Sequence, residues 1–452
     1  MTVVSRPLPT QAREYHFPEF SRHTLDNGLK VIVAPVRKLP VVTVLAVIDA
    51  GANRDSNGIE GLAQLTAELL REGTEEHDGI EILEGFERLG SSIEAGADWD
   101  STMVSMTLLR HHLTTGLRQF AEVLRTPSFP LHEVERLKAE RLAERLQILS
   151  EPRGLADEAF SRFLYAPGSR YAEPIGGTSK SISAITRENV IEFFGSFYIP
   201  TSATVIVVGD VDASEALGLV RDAFGQWHGV AAPAVDSNTA ENRAGRALEI
   251  VDKSDAAQAE LRLGHIGIPR SHPDYFKVVI MNALLGGLFS SRINLNLRER
   301  HGYTYGASSY FDWRRAPGPF LISTAVQSEV SAEAIRETLI EIDGMREKEV
   351  PADEFSLATD YLEGVFPIRY ETTAAIASAL ANIVIFNLRE DFYDTYRDNI
   401  RAVTPRDVLV AAQTHVHPNK LLAVVVADPA IVTRSLESLA LGPVTHRLPV
   451  DA

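Results

Sequence analysis

The chain contains no cysteine. That removes disulfides, thiolate nucleophiles and every thiolate metal site, and it fits a reducing compartment. A basic surplus is missing as well. Lys and Arg number 44 against 61 Asp and Glu, a net charge of −17, which repels phosphate backbones and argues against nucleic acid as a partner. The opening segment, MTVVSRPLPTQAREYHFPEF, has no apolar run of signal-peptide length behind a basic end, and no stretch approaches the roughly 18 apolar residues of a membrane span. These absences predict a cytoplasmic protein with neither nucleic acid nor membrane as partner, or a periplasmic one if a leader peptide has been removed.

What is present is 452 residues with 45% hydrophobic content, too long for one core. LDNGLKVIVAPV and VVTVLAVIDAG are β-branched, strand-like runs. Asp26-Asn27-Gly28 supplies a turn before the first, and Pro40 marks entry to the second. A helix is predicted over 58–72, ended by Gly73. Further helices follow at 131–150 and near 187–197, and then the strand ATVIVVGD.

The chain also repeats itself. ISAITRENVIEFFGSFYIPTSATVIVVGD (182–210) aligns without a gap on IRAVTPRDVLVAAQTHVHPNKLLAVVVAD (400–428), at an offset of 218, with 8 of 29 positions identical. Thr186 and Thr404 sit where a helix N-cap belongs, with Asn189 and Asp407 three residues on. A period this long means duplication of a domain rather than a solenoid. The fold class is therefore α+β: two homologous halves, each with a mostly antiparallel sheet and packed helices. The first spans 1–227, a linker rich in Ala, Pro, Ser and Asn spans 228–245, and the second half spans 246–452.

Residues 61–74, GLAQLTAELLREGT, form an amphipathic helix. Leu62, Leu65 and Leu69 make the apolar stripe, with Ile59 and Leu70 at its border, and Gln64, Glu68 and Arg71 fall opposite. The ordered set NGLKVIVAP, P-V-V-T-V, G-A-N-R-D and GLAQLTAELLREGT resembles the amino-terminal half of the pitrilysin/insulinase family of zinc peptidases. NALLGGLFSSRINLNLRERHGYTYG resembles that family's second half. In the family the helix reads approximately Gly-x-x-His-x-x-Glu-His-x-x-x-x-Gly-Thr. The resemblance places the first zinc histidine on Gln64, the general-base glutamate on Ala67, the second histidine on Glu68 and the third ligand on Glu144. Three of these four positions have changed. Two imidazoles one helical turn apart hold zinc, and a nearby glutamate takes the proton from the bound water. A glutamine carbonyl is a poor zinc ligand, and an alanine accepts no proton.

Gln64, Glu68 and Glu144 together offer oxygens suited to a hard cation, but calcium needs six or more and no others are visible nearby. The competing reading pairs Glu144 with Arg141 and Glu68 with Arg71, each at i, i+3. His111 and His112 are expected to point apart. His415 and His417 fall on the places of Phe197 and Ile199 in the repeat, which favours packing over ligation. Gly286-Gly287 lacks the Lys-Ser/Thr of a nucleotide loop and suits close helix packing.

In the second half a helix is predicted from near Ser290, closed by Gly302, followed by a strand from Tyr303 to Phe311. Arg298 in the helix's last turn and Tyr305 beyond the break are spaced to converge on one point. The structural reading of each is a helix-dipole contact for Arg298 and an ordinary strand residue for Tyr305. By the resemblance, these two are the family's Arg and Tyr that bind the substrate carbonyl and support its oxyanion. An erased zinc box beside a kept Arg/Tyr pair implies the noncatalytic subunit of a two-chain zinc peptidase, inactive alone. It would carry no metal cofactor itself, with zinc held by a His-x-x-Glu-His partner subunit, a peptide as substrate, and a homodimer possible in isolation. Two other readings stand beside it: a non-enzymatic structural or peptide-binding homologue, and a self-sufficient enzyme with unfamiliar ligands.

Overall fold

A computed structural model describes residues 14–229 and 245–449; nearly all of the expected linker lies outside the described residues. The first hairpin joins β1 (Ser21–Thr24) to β2 (Lys30–Pro35), with Gly28 carrying the turn at φ 86°. Four further strands complete the first sheet: β3 (Val41–Ile48), β4 (Ile93–Ala97), β5 (Thr102–Leu109) and β6 (Ala203–Gly209), in the order β1-β2-β6-β3-β5-β4. The β2–β6 pair is parallel and the others antiparallel.

The second sheet has the same plan. It contains β7 (Ala247–Asp252), β8 (Ala259–Ile266), β9 (Ala307–Phe311), β10 (Pro319–Val326), β11 (Leu422–Ala427) and β12 (Val444–Arg447), in the order β12-β7-β11-β8-β10-β9. Only the outermost strand breaks the correspondence: β1 pairs antiparallel with β2, whereas β12 arrives from the chain's end and pairs parallel with β7. The repeat is visible in three dimensions. Helices Arg187–Phe197 and Pro405–His415 have matching boundaries at the same offset, and each begins in a reciprocal capping box, Thr186 with Asn189 and Thr404 with Asp407. Each box satisfies backbone donors that a bare helix end would leave open.

The halves exchange a helix. Pro152–Leu164 leaves the first half and lies on β8 and β11, and Thr373–Ile385 leaves the second half and lies on β3 and β6. Leu155, Phe160 and Phe163 thus pack with Val251, Leu321 and Val424. Covering both faces explains why β6 and β11 are wholly buried, and apolar apart from Thr204, rather than alternating. Polar contacts hold the same seam. Arg262 on β8, fully buried, donates to Asp157 of the exchanged helix at 2.5 Å and to Glu260 at 2.8 Å. Thr43 meets Thr373 at 2.8 Å.

The helix Leu131–Ser150 has its expected bounds. The motif helix is shorter than expected, Leu62–Leu69: at its start Gly58 and Gly61 both take positive φ and keep the preceding turn out of the helix, and at its end the chain passes into a turn after Leu69. The strand expected from Tyr303 starts at Ala307, since Thr304 folds the chain into a local turn by accepting from Gly306 N at 3.0 Å. His111 and His112 do not point apart. They share a 3₁₀ turn, Arg110–His112, whose tighter pitch brings their rings to 3.9 Å. One helical stretch, Tyr275–Arg300, is long and apolar enough to cross a membrane by length and composition, against the expectation of no such run; it is interrupted at 288–291, and over half of its apolar window is buried inside the protein.

Candidate functional site

The Leu62–Leu69 helix is fixed from below by its leucines, all at most 4% exposed. Its start is fixed by Asp55, whose carboxylate accepts from Gly61 N and Ala63 N at 2.8 Å each. Asp55 is itself paired with buried Arg170 at 2.9 Å. Burial raises the Asp55 carboxyl above its ordinary range, and the Arg170 charge opposes that rise. These anchors hold the polar face of the helix toward Leu131–Ser150.

Gln64 and Glu68 meet an arginine there. Arg141 donates from Nη1 to Gln64 Oε1 at 3.0 Å and from Nε to Glu68 Oε2 at 3.0 Å, and its Nη2 reaches the second Glu68 oxygen. The same guanidinium stands 3.9 Å from Glu144. One planar cation therefore joins all three positions that the resemblance assigns to metal ligands, and its fork grips Glu68 in the bidentate manner that suits a carboxylate. Burial raises the Glu68 carboxyl, with Arg141 the main opposing influence. Ala67 is fully buried and offers no proton acceptor.

The expected Glu68–Arg71 pair is replaced by this arrangement: Arg71 lies 3.7 Å from Glu72 instead, because the neighbouring helix presents a better-aligned partner. The Glu144–Arg141 contact is present but long. The part Arg141 plays was not legible in the sequence beyond its i, i+3 relation to Glu144. Its reach to Glu68, 73 residues away, depends on how two helices pack. Chemically the residues do not fit zinc. The amide oxygen and the carboxylate are engaged by a guanidinium, and the Coulombic demand a divalent ion would satisfy is already met.

Arg298 lies in the last turn of a wide helical segment, Leu295–Arg300, and Gly302 ends it at φ 66°. Its guanidinium stacks over Phe289 at 4.3 Å and stands 3.5 Å from Glu299, while its Nη1 is buried without an acceptor. Tyr305 projects from the following loop and is 92% exposed. The two make no contact with each other among the described residues. The glycines upstream have the predicted packing use: a Cβ on Gly286 would lie 2.6 Å from Ser309 N.

A second cluster escaped sequence reasoning, because its members lie far apart in the chain. His272, Asp274 and His415 bring ligand-capable atoms within 4.8 Å of one another. His415, buried at the end of its helix, bonds Asp274 at 2.9 Å, Lys277 holds the same carboxylate at 3.0 Å, and His272 Nδ1 accepts from Asp274 N at 3.1 Å. These groups satisfy one another, in keeping with a packing role for His415. His417 donates its backbone N–H to His265. Glu76, His77 and Glu122 form a similar, more exposed group.

Comparison with known proteins places this geometry. Residues 31–178 match the family model for insulinase (peptidase family M16), and residues 184–362 match that for the peptidase M16 inactive domain. An uncharacterized zinc protease, YmxG of Bacillus subtilis, is 23% identical over 73% of this chain and 80% of its own length. A protein named non-peptidase homolog YmxG, from Helicobacter pylori, is 24% identical over 85% and 88%. A crystal structure described as a peptidase M16 inactive domain from Pseudomonas fluorescens superposes with a TM-score of 0.85 at 26% identity, covering 90% of this chain and 98% of that one.

Proposed function

Because the chain belongs to the insulinase (M16) peptidase family and is of its inactive type, and because Arg141 joins the positions that the resemblance assigns to metal ligands, we propose that it is the noncatalytic, substrate-holding subunit of a two-chain zinc peptidase. In this reading a homologous subunit with an intact His-x-x-Glu-His helix carries the zinc that activates water. Arg298 and Tyr305 lend their donors to the substrate carbonyl in that partner's site.

The observation that carries the proposal is the state of Arg298: a half-buried guanidinium with one N–H buried and unbonded, beside a phenol that is almost wholly exposed. An unsatisfied charged donor costs free energy in the isolated chain, and a carbonyl whose oxygen gains negative charge in the transition state repays it. Tyr305 shares that task only if something covers it. The following strand, β9, is an edge strand, and an extended peptide can add to such an edge through main-chain hydrogen bonds with little demand on sequence. The first-half helix contributes no base and no metal ligand pair, so water activation has to come from elsewhere.

The test is to purify the chain, a His-x-x-Glu-His homologue from the same host, and their mixture, and to follow cleavage of a fluorogenic peptide library. The mixture should cleave and the free chain should not. Arg298→Ala or Tyr305→Phe should lower the mixture's kcat by about 3 kcal/mol of transition-state stabilisation. A partner fully active alone, or a mixture indifferent to both substitutions, refutes the assignment.

A further inference from the structure

The second half contains a cavity of about 620 Å³, walled by Tyr275, Trp313, Tyr370, Phe386, Tyr393 and Tyr396 among others. Its size is that of a small-molecule site. Arg270 forms part of the wall and is 6% exposed. The guanidinium lies 3.6 Å from the centre of the Tyr275 ring and 4.6 Å from that of Phe392. Among the described residues its side chain has no carboxylate and no hydrogen-bond acceptor, and its Nη1 is buried without a partner.

Ring faces attract a cation but accept no directed hydrogen bond of carboxylate quality. A buried guanidinium left in that state is costly, and folds ordinarily pair or replace it. The surrounding charges do not relieve it. Arg369 also lines the cavity and makes no ion pair among the described residues, while the one carboxylate in the described wall, Asp312, is held by Arg314 at 2.9 Å. In a chain of net charge −17, this cavity is locally positive.

We infer that this cavity binds an organic carboxylate with an apolar or aromatic body, its carboxylate paired with Arg270 and its body held between the aromatic rings. The carboxylate comes either from a free small acid or from the C-terminus of a peptide. The inference is independent of the role given to Arg298 and Tyr305.

Isothermal titration calorimetry on the full chain tests it, using N-acetyl-L-phenylalanine, N-acetyl-L-phenylalaninamide and a tetrapeptide ending in phenylalanine with a free carboxylate. The acid or the tetrapeptide should bind saturably, one per chain, and the amide at least tenfold more weakly. Tighter binding of the tetrapeptide identifies a peptide terminus, and binding of the free acid alone identifies a small acid. Arg270→Met should erase the preference for the carboxylate while leaving the circular dichroism spectrum unchanged. If that variant does not fold, the ratio of acid to amide affinity on the native chain decides. Equal binding of acid and amide, no binding of any probe, or unaltered binding by Arg270→Met overturns the inference.

Discussion

Two arginines, one in each half, lie beside an exchanged helix and differ in what surrounds the charge. Arg141 stands on the long helix Leu131–Ser150, just before the exchanged helix of the first half, and holds Glu68 and Gln64. Arg270 stands beside the exchanged helix of the second half, in a cavity that Ala375, Ser378 and Ala379 of that helix help to line, and among the described residues its guanidinium meets only ring faces. Each half thus has a recess that contains an arginine. In the first the positive charge is neutralised from within, so the recess is complete and chemically quiet. In the second the charge is left open, which is the condition of a binding site rather than of a structural contact.

Truncating the two arginines should therefore affect stability unequally: a loss for Arg141 and none for Arg270. The larger effect belongs to Arg141→Met, which strands a carboxylate 27% exposed. It should destabilise the chain by about 2 kcal/mol at neutral pH, below the ~3–5 kcal/mol of a fully buried pair because Glu68 keeps some water. Urea unfolding measures it.

The sign of the pH dependence follows from the raised Glu68 carboxyl. The folded chain holds that proton more tightly than the unfolded chain, so the stability it contributes is complete below the ordinary carboxyl range and is lost as pH rises through the folded value. Removing Arg141 takes away the opposing charge and lifts the folded value further. The deficit of Arg141→Met should therefore shrink as the pH is lowered from about 7 to about 4, and a deficit independent of pH would break the assignment. The smaller effect belongs to Arg270→Met. Replacing an unpaired buried charge by a methionine of similar length should leave stability unchanged or raise it by about 1 kcal/mol, the lost ring contacts offsetting part of the gain. A loss as large as that of Arg141→Met would mean that both arginines are structural.

Much of the architecture was legible because it rests on local rules. The two helix N-caps, the Gly28 turn and the bounds of Leu131–Ser150 follow from residue types at fixed spacing, and the 218-residue offset announced the second sheet, while the short strand Ser21–Thr24 was not foreseen. That Gln64, Ala67 and Glu68 share one short helix was equally legible. What could not be read were contacts made by packing: the exchange of helices, the close approach of the His111 and His112 rings, the grip of Arg141 on Glu68, and the place of Arg270 among the rings of Tyr275, Phe386 and Phe392. Arg141 looked like an ordinary member of a charged helix face, and nothing in the residues around Arg270 marks it as unpaired. Periodicity reports which face of a helix is wet, but not which residue of another element waits across it.

The most direct measurement is zinc bound per chain, after dialysis against zinc, for three proteins: the wild type, Gln64→His/Ala67→Glu/Glu68→His, and that triple variant combined with Arg141→Leu. With Glu144 as the third ligand that the resemblance assigns, the fourfold variant should retain one zinc, whereas the wild type and the triple variant, with the guanidinium in place, should retain none in stoichiometric amount. A full equivalent of zinc on either protein that keeps Arg141 would contradict the claim that an arginine has taken the metal's position.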